Sequence, residues 1–284
     1  MALIAMSNML RRAKEEKYAI GQFNINNLEF TQAIIEAAAE ERSPVIFGVS
    51  EGALKYMGLE FTVAMAKAAA DKYAIPVALH LDHGSSFTVV LQCIRAGFSS
   101  VMFDGSHHPL AENIALTQKV IEVAHAVGVS VEGELGTIGG TEDDLSVAEE
   151  DAAFAKPEEA IRFWEETGVD ALALAVGTAH GVYKGEPRIR FDILAEVASK
   201  LEVPIVLHGG SGVPDDSIRK AINHGVGKVN VNTENQIAST ATIRRILAAK
   251  PELIDPRKYL GPSRDAIKEV VKTKIRLFGS NNRV

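Results

Sequence analysis

Cysteine is nearly absent from this chain of 284 residues, which contains only Cys93. One thiol cannot form an internal disulfide, and no charged-then-apolar export segment opens the sequence, so we expect a reducing, cytoplasmic location. Cys93 lies in a helical run between Leu91 and Ile94, with no histidine at local spacing. This setting favours a small core residue over a reactive thiol.

The sequence also lacks an excess of positive charge and a long apolar run. Its formal net charge is −7, whereas nucleic acids and anionic membranes are bound through clustered Lys and Arg. No apolar run is long enough to cross a bilayer. We therefore expect no nucleic-acid partner and no membrane partner. An anionic small substrate remains compatible with the charge, because backbone N–H groups and a metal can set the local field.

Linker-like and low-complexity stretches are missing as well. The composition, 46% hydrophobic and 24% charged, is that of an ordinary soluble globular protein. The length fits two small domains or one α/β barrel, for which about 250 residues is typical. With no linker in view, we predict a single domain over residues 1–284.

Short β-branched runs alternate with helical patterns along most of the chain, which indicates βαβ units and a parallel sheet. One helical pattern is formed by Phe191, Leu194, Ala195 and Ala198. The predicted strands span residues 19–23, 45–49, 77–81, 100–104, 129–134, 171–175, 205–207 and 228–231. Eight such units favour an α/β fold of the closed (β/α)8 TIM-barrel type over an open doubly wound sheet.

Two segments fall outside this alternation. Residues 136–156 are glycine-rich and then acidic, and we predict an irregular loop there, of the kind that forms a functional lid or is disordered. Residues 262–279 are predicted to form a final helix, which makes a C-terminal helical extension of the barrel.

Histidines follow three of the predicted strands, in LHLDHGSS (79–86), GTAHGVYKG (177–185) and LHGGSG (207–212). The active site of such a barrel forms at the carboxyl ends of its strands, so His83, His180 and His208 are expected to converge. Any one of them alone would be better explained as a hydrogen-bonded core or loop histidine. Three histidines with one open position are typical of a catalytic Zn2+ site.

Carboxylates stand beside the histidines. Asp82 precedes His83, and a bend at the strand end would be needed to bring both side chains to the barrel mouth. Asp82 is then a candidate acid/base, with the N-cap of the following helix as the alternative. Asp104 and Glu134 also end strands and are candidates for holding a second cation or orienting the histidines, or for forming turns.

A glycine-rich turn follows the seventh predicted strand, and polar residues follow the eighth. Barrels bind phosphate at this place through backbone N–H groups and helix N-termini. The position therefore predicts a phosphorylated substrate, although a short glycine motif can also simply make a turn. The residues concerned are Gly209, Gly210, Ser211 and Gly212 after the seventh strand, and Asn230, Asn232 and Thr233 after the eighth.

Longer strings carry a family resemblance that covers essentially the whole chain. The chain resembles the class II fructose-bisphosphate aldolase family, which includes tagatose-bisphosphate aldolases. Besides LHLDHGSS, the strings are YAIGQFNINNLEFTQAII (18–35), SVEGELGTIGGTEDD (130–144), AVGTAHGVYKGEP (175–187), VPIVLHGGSGVP (203–214) and VGKVNVNTEN (226–235).

The resemblance implies a role for each candidate. It implies zinc on His83, His180 and His208, and Asp82 as the group that handles the proton of the substrate C4 hydroxyl. Asp104 and Glu134 match positions where the family holds zinc in an alternate or second site. Glu142, in the long loop, matches the residue that moves a proton at C3 of the ketose.

The resemblance also implies the binding of substrate and ions. Asn24 and Ser50 match substrate-side positions, and Arg257 resembles the arginine that meets the far phosphate. A monovalent cation, Na+ or K+, is expected nearby, and the chain is expected to form a homodimer or homotetramer. Dihydroxyacetone phosphate is expected against Gly181, Gly209, Gly210, Ser211, Asn230, Val231, Asn232 and Thr233.

The sequence thus predicts a zinc-dependent aldolase that reversibly cleaves fructose 1,6-bisphosphate. Tagatose 1,6-bisphosphate, the C4 epimer, is the alternative substrate. A metal-free sugar-phosphate isomerase and a non-catalytic sugar-phosphate-binding barrel are the alternatives from other classes. A Schiff-base aldolase would need a desolvated lysine at a strand end, and neither Lys184 nor Lys228 is predicted to end a strand.

Overall fold

Parallel strands form the centre of the molecule. The computed structural model describes residues 3–142, 145–148, 152–183 and 185–284, with the backbone alone for residues 142 and 145–147. Over these residues, eight parallel strands close into a barrel, and helices surround it. Around the barrel the strands lie in the order Ile20–Asn24, Val226–Val231, Ile205–Leu207, Ala171–Leu174, Ser130–Leu135, Ser100–Phe103, Val77–Gly84 and Val45–Ser50. The predicted α/β barrel is confirmed.

The helices and strands follow one another as βα units with four additions, namely a helix before the barrel, a second helix after the second strand, a small sheet beside the barrel and a second helix after the last strand. In chain order they are α1 Met6–Glu15, β1 Ile20–Asn24, α2 Leu28–Glu40, β2 Val45–Ser50, α3 Glu51–Met57, α4 Leu59–Lys72, β3 Val77–Gly84, α5 Phe87–Ala96, β4 Ser100–Phe103, α6 Leu110–His125, β5 Ser130–Leu135, β6 Gly139–Glu142, β7 Leu145–Val147, α7 Pro157–Thr167, β8 Ala171–Leu174, β9 Ala179–His180, α8 Phe191–Lys200, β10 Ile205–Leu207, α9 Asp215–Asn223, β11 Val226–Val231, α10 Thr233–Ala249 and α11 Arg257–Phe278.

Almost every barrel-strand residue is buried. Helices cover the outer face of the barrel and side chains fill its interior, which explains the near-continuous apolar runs in the sequence. The final helix begins at Arg257, five residues earlier than predicted, with Pro256 as its N-cap. The Asp255 carboxylate accepts the Arg257 backbone N–H at 3.1 Å. Pro262 therefore lies inside α11.

The barrel interior is layered. At the amino ends of the strands, Ile20 and Ala78 join an apolar cluster with Met6 and Leu10 of α1, which closes this end. Alternate residues of a strand face the same side, so the next inward positions lie two residues further along. On four of the strands these positions are polar and fully buried, and they are Gln22, His80, Glu132 and Lys228. The interior is thus apolar at the bottom and polar beneath the mouth.

The long loop after β5 is more regular than predicted. Strands β6 and β7 pair with each other, and β6 also pairs with β9, where Gly140 is opposite His180. The prediction of an irregular segment is therefore wrong for β6 and β7. Their partner β9 is distant in sequence, and no local pattern announces such pairing. Among the helices described, none is long and apolar enough to cross a membrane.

Candidate active site

Three imidazoles meet at the carboxyl end of the barrel. His83 lies near the end of β3, His180 in β9, and His208 directly after β10. The ring centroid of His83 is 5.0 Å from that of His180 and 4.7 Å from that of His208, and the other two are 5.7 Å apart. A nitrogen of each ring lies within 4.8 Å of the others. The predicted convergence is present in the structure.

The end of β3 contains the bend that Asp82 and His83 require. His83 has a φ of 51°, in the left-handed region that a non-glycine residue rarely adopts. The pairing of β3 with β4 shifts register between Leu81 and Gly84. Asp82 is fully buried, and the N-cap of α5 is Ser86 instead. The alternative N-cap role of Asp82 is therefore excluded.

A carboxylate holds the outer nitrogen of two of the rings. His83 Nδ1 is 2.9 Å from Asp104 Oδ2, and His208 Nε2 is 2.9 Å from Glu132 Oε1. This leaves His83 Nε2 and His208 Nδ1 facing each other at 2.9 Å. Histidine ligands of metals are typically fixed in this way by a carboxylate on the second nitrogen. The contact of Asp104 with His83 fits one of the roles predicted for Asp104, that of orienting a histidine.

The donor set fits a divalent cation. His83 belongs to two groups of potential ligands, one with His180 and His208 and one with Asp104 and Glu134. Glu134 Oε2 is buried and makes no hydrogen bond within the described part of the chain. Burial and the neighbouring Asp104 raise the pKa of Glu134 well above its usual value. A cation held at this point would compensate the crowded carboxylates.

Amide side chains surround Asp82. Its Oδ2 accepts hydrogen bonds from Gln22 Nε2 at 2.7 Å and Asn24 Nδ2 at 3.3 Å, and its Oδ1 accepts one from Asn230 Nδ2 at 3.3 Å. Donors on both oxygens fix the orientation of the carboxylate and favour its charged form.

The charges around Asp82 act in the same direction. Burial by itself would raise the pKa of Asp82, but positive charge on His83, His208 and Lys228 outweighs it and leaves the pKa below its usual value. The buried carboxylate is therefore in its charged form, which is the form that can accept a proton.

The polar layer below contains an ion pair. Lys228 Nζ donates to Glu132 Oε2 at 2.8 Å, and both side chains are fully buried. Burial, with Lys228 nearby, lowers the pKa of His80 to about 3. The Lys228 amine is engaged beneath the mouth and is not presented to a substrate as a Schiff-base lysine would be. Lys184, the other lysine considered, lies outside the described residues.

A cavity of about 250 Å3 lies beside the histidines. Most of the residues predicted to bind phosphate line this cavity. Its lining residues are Thr141, His180, Gly181, Val182, Gly209, Ser211, Asn230, Asn232, Thr233 and Gln236.

The walls of this cavity are tied together by Tyr183. Its hydroxyl donates to the Gly209 carbonyl and accepts the Ala179 N–H, both at 2.8 Å. Gly209 has a φ of 62°, and a Cβ there would collide with the Ala179 carbonyl. Only glycine fits this close approach without strain.

The chain matches the family model described as Fructose-bisphosphate aldolase class-II over residues 4–283. A "Probable fructose-bisphosphate aldolase" of Bacillus subtilis is 57% identical over 285 residues, covering 99% of each chain. A "Fructose-bisphosphate aldolase" of Staphylococcus aureus is 54% identical over 286 residues, covering 100% of this chain and 99% of the relative.

The chain belongs to the class II fructose-bisphosphate aldolase family. Among solved structures, the YdjI aldolase of Escherichia coli K12 superposes with a TM-score of 0.86 at 34% identity, covering 99% of each chain. The family resemblance stated from the sequence motifs is confirmed.

The other residues predicted for this class II aldolase lie around the site or apart from it. Ser50, 7% exposed, is the N-cap of α3 and pairs in register with Asp82. Gly210 and Val231 are buried beside the cavity wall. Arg257 is 87% exposed and bonds Asp255.

Glu142, the predicted C3 proton carrier, ends β6, and its side chain lies outside the described residues. Its backbone belongs to the strand that pairs with β9.

The sequence interpretation missed the layer that supports the site. Gln22, His80, Glu132 and Lys228 each precede a candidate residue by two positions, namely Asn24, Asp82, Glu134 and Asn230. Strand alternation places such pairs on one face. The polar residue two positions before each of these four candidates was the signal in the sequence that could have predicted this layer.

Proposed function

We propose that this chain is a zinc-dependent aldolase that reversibly cleaves fructose 1,6-bisphosphate into dihydroxyacetone phosphate and glyceraldehyde 3-phosphate. The observation that carries the proposal is the meeting of His83, His180 and His208 beside the buried carboxylate of Asp82. The names of the relatives, at 54% and 57% identity over the full length, support the same substrate.

Aldol cleavage breaks the C3–C4 bond and leaves its electron pair next to a carbonyl. A bound zinc ion would supply Lewis-acid stabilisation of that charge. Asp82, held by Gln22, Asn24 and Asn230, takes the C4 hydroxyl proton in cleavage and returns it in condensation. Glu142 is assigned the transfer of a proton at C3.

The same proposal assigns the substrate contacts. The cavity residues hold the phosphate of dihydroxyacetone phosphate through backbone N–H groups and the N-terminus of α10. Asn24 and Ser50 contact the sugar chain, and Arg257 contacts the far phosphate. Asp104 and Glu134 form an alternate zinc position with His83.

The proposal also includes a second ion, the location of the protein and its oligomeric state. We propose that a monovalent cation, Na+ or K+, binds close to the phosphate. The chain acts as one domain, in the cytoplasm, as a homodimer or homotetramer. These points rest on the family and on the composition of the chain.

Metal removal tests the mechanism. EDTA is expected to abolish cleavage of fructose 1,6-bisphosphate, and one equivalent of zinc per chain is expected to restore it. Parallel rates on tagatose 1,6-bisphosphate measure the preference at C4. Full cleavage of fructose 1,6-bisphosphate by a protein shown by metal analysis to be zinc-free would contradict the proposal. Isomerisation of a sugar phosphate without any cleavage would favour the metal-free isomerase.

Replacement of Asp82 separates catalysis from simple binding. Asp82→Ala is expected to bind the bisphosphate while cleavage falls by about 100-fold or more, measured by calorimetry and by a coupled assay. An unchanged rate would remove Asp82 from its assigned role.

A further inference from the structure

The loop after β10 is anchored to α10 by a reciprocal pair of hydrogen bonds. The Gly212 N–H donates to Glu234 Oε1 at 2.6 Å, and the Glu234 N–H donates to Ser211 Oγ at 3.3 Å. Ser211 lines the small cavity, and Thr233 beside Glu234 also lines it. The anchor therefore joins two walls of the proposed phosphate pocket.

A lysine from another helix completes the anchor. Lys274 of α11 donates from Nζ to Glu234 Oε1 at 2.7 Å, and its side chain is only 8% exposed. Burying an ammonium group is costly unless it is paired. The position of Lys274 is thus tied to that of Glu234, which is itself 27% exposed.

The negative charge of Glu234 would weaken the binding of a phosphate nearby, and the positive charge of Lys274 compensates it. A carboxylate next to an anion pocket repels a phosphate, and the repulsion is strongest where water is partly excluded. The ammonium of Lys274 neutralises this charge at contact distance while leaving the Glu234 oxygen in place to accept the Gly212 N–H.

We propose that Glu234 and Lys274 are positioning residues for phosphate binding. Glu234 holds the loop of Ser211 and Gly212 against the start of α10, and Lys274 cancels the charge of that anchor. The inference rests on the proposed function, because the pocket is assigned to the phosphate of dihydroxyacetone phosphate. Glu234 and Lys274 support the walls of the pocket, and neither residue is assigned a contact with the reacting atoms.

An assay in the direction of condensation tests this pocket separately, because dihydroxyacetone phosphate and glyceraldehyde 3-phosphate are then two substrates with separate KM values. Lys274→Met is expected to raise the KM for dihydroxyacetone phosphate about tenfold, because an uncompensated carboxylate is left at the pocket. The KM for glyceraldehyde 3-phosphate and kcat should stay within about twofold of wild type.

The isosteric double variant tests the charge argument. Glu234→Gln combined with Lys274→Met removes both charges and keeps an oxygen for the Gly212 N–H. It should return the KM for dihydroxyacetone phosphate to within about threefold of wild type. It leaves no unpaired buried charge, so it also provides the measurement if Lys274→Met alone does not fold.

A matched pair on the same helix is the control. Lys272 of α11 bonds Glu40 at the end of α2, away from the pocket. Lys272→Met, alone and with Glu40→Gln, should leave both KM values unchanged.

The outcomes are distinguishable. Equal effects of Lys274→Met and Lys272→Met, equal rises in both KM values, or no recovery in the double variant would each overturn the inference. A wild-type protein with no aldolase activity in either direction would instead overturn the proposed function.

Discussion

At the scale of single residues, the environment of Asp82 is decided by a side chain that is not itself a candidate catalyst. Gln22 Nε2 makes the shortest of the hydrogen bonds described to this carboxylate, 2.7 Å. Room for Gln22 exists because residue 48 is glycine, and a Cβ there would collide with the Gln22 amide. The reactivity of Asp82 therefore depends on two residues in neighbouring strands.

Gln22→Met is expected to lower kcat about ten- to hundredfold with little change in KM, because Asp82 loses its closest donor and its fixed orientation. Gly48→Ala should act in the same direction by displacing Gln22. Steady-state assays measure both. Gln32→Met, the same replacement on α2, should have wild-type kinetics, and equal rates for Gln22→Met and Gln32→Met would contradict the prediction.

At the scale of elements, side chains from separate barrel strands meet in the interior and support the proposed metal ligands. Glu132 of β5 bonds Lys228 of β11 and the outer nitrogen of His208 after β10. These elements are distant in sequence and meet only when the barrel closes. Such supporting carboxylates typically change metal affinity about 10- to 100-fold when they are replaced.

We expect Glu132→Gln to weaken zinc binding by about that factor, as measured by competition with a chromophoric chelator. Lys228→Met should destabilise the fold by about 3–5 kcal/mol, because Glu132 loses its buried counter-charge and keeps only the contact with His208. The pair formed by His125 and Asp170 at 2.8 Å is partly exposed and provides the control. Zinc affinity that is equal in Glu132→Gln and Asp170→Asn would disprove the supporting role.

At the scale of the whole molecule, the two ends of the barrel have separate tasks. The closed end is apolar and sealed by α1, and the open end holds the polar layer and the site. The residues that seal the closed end are therefore separate from those of the site, as expected for barrel enzymes.

Leu10, fully buried in α1, tests this separation. Leu10→Ala should lower the free energy of unfolding by about 2–5 kcal/mol, measured by urea denaturation, and leave kcat unchanged at a temperature where the variant is folded. Val127, 63% exposed, is the control, and Val127→Ala should change stability by less than about 0.5 kcal/mol. A large loss of kcat in folded Leu10→Ala would show that the two ends are coupled.

Much of this molecule could be predicted from local patterns. The eight predicted barrel strands each agree with a strand of the structure to within three residues at either end, because β-branched runs bounded by turn residues are a local signal. The placement of His83 and His208 at barrel-strand ends follows from the same signal once the barrel is assumed, whereas His180 lies in β9 of the small sheet.

What escaped prediction depends on contacts between distant segments. Strands β6 and β9 pair across about forty residues of sequence, and no local periodicity marks such a pair. The anchor of Glu234 and Lys274 and the ion pair of Glu132 and Lys228 likewise need the closed barrel to bring their members together.

The sequence by itself determined the architecture and the inventory of chemical groups, because strand runs, turn residues and strand-end histidines are properties of short segments. Only the tertiary structure decided which groups touch. Partner choice in a closed barrel is fixed by strand register and by the bend at His83. Both arise from packing between segments far apart in the chain.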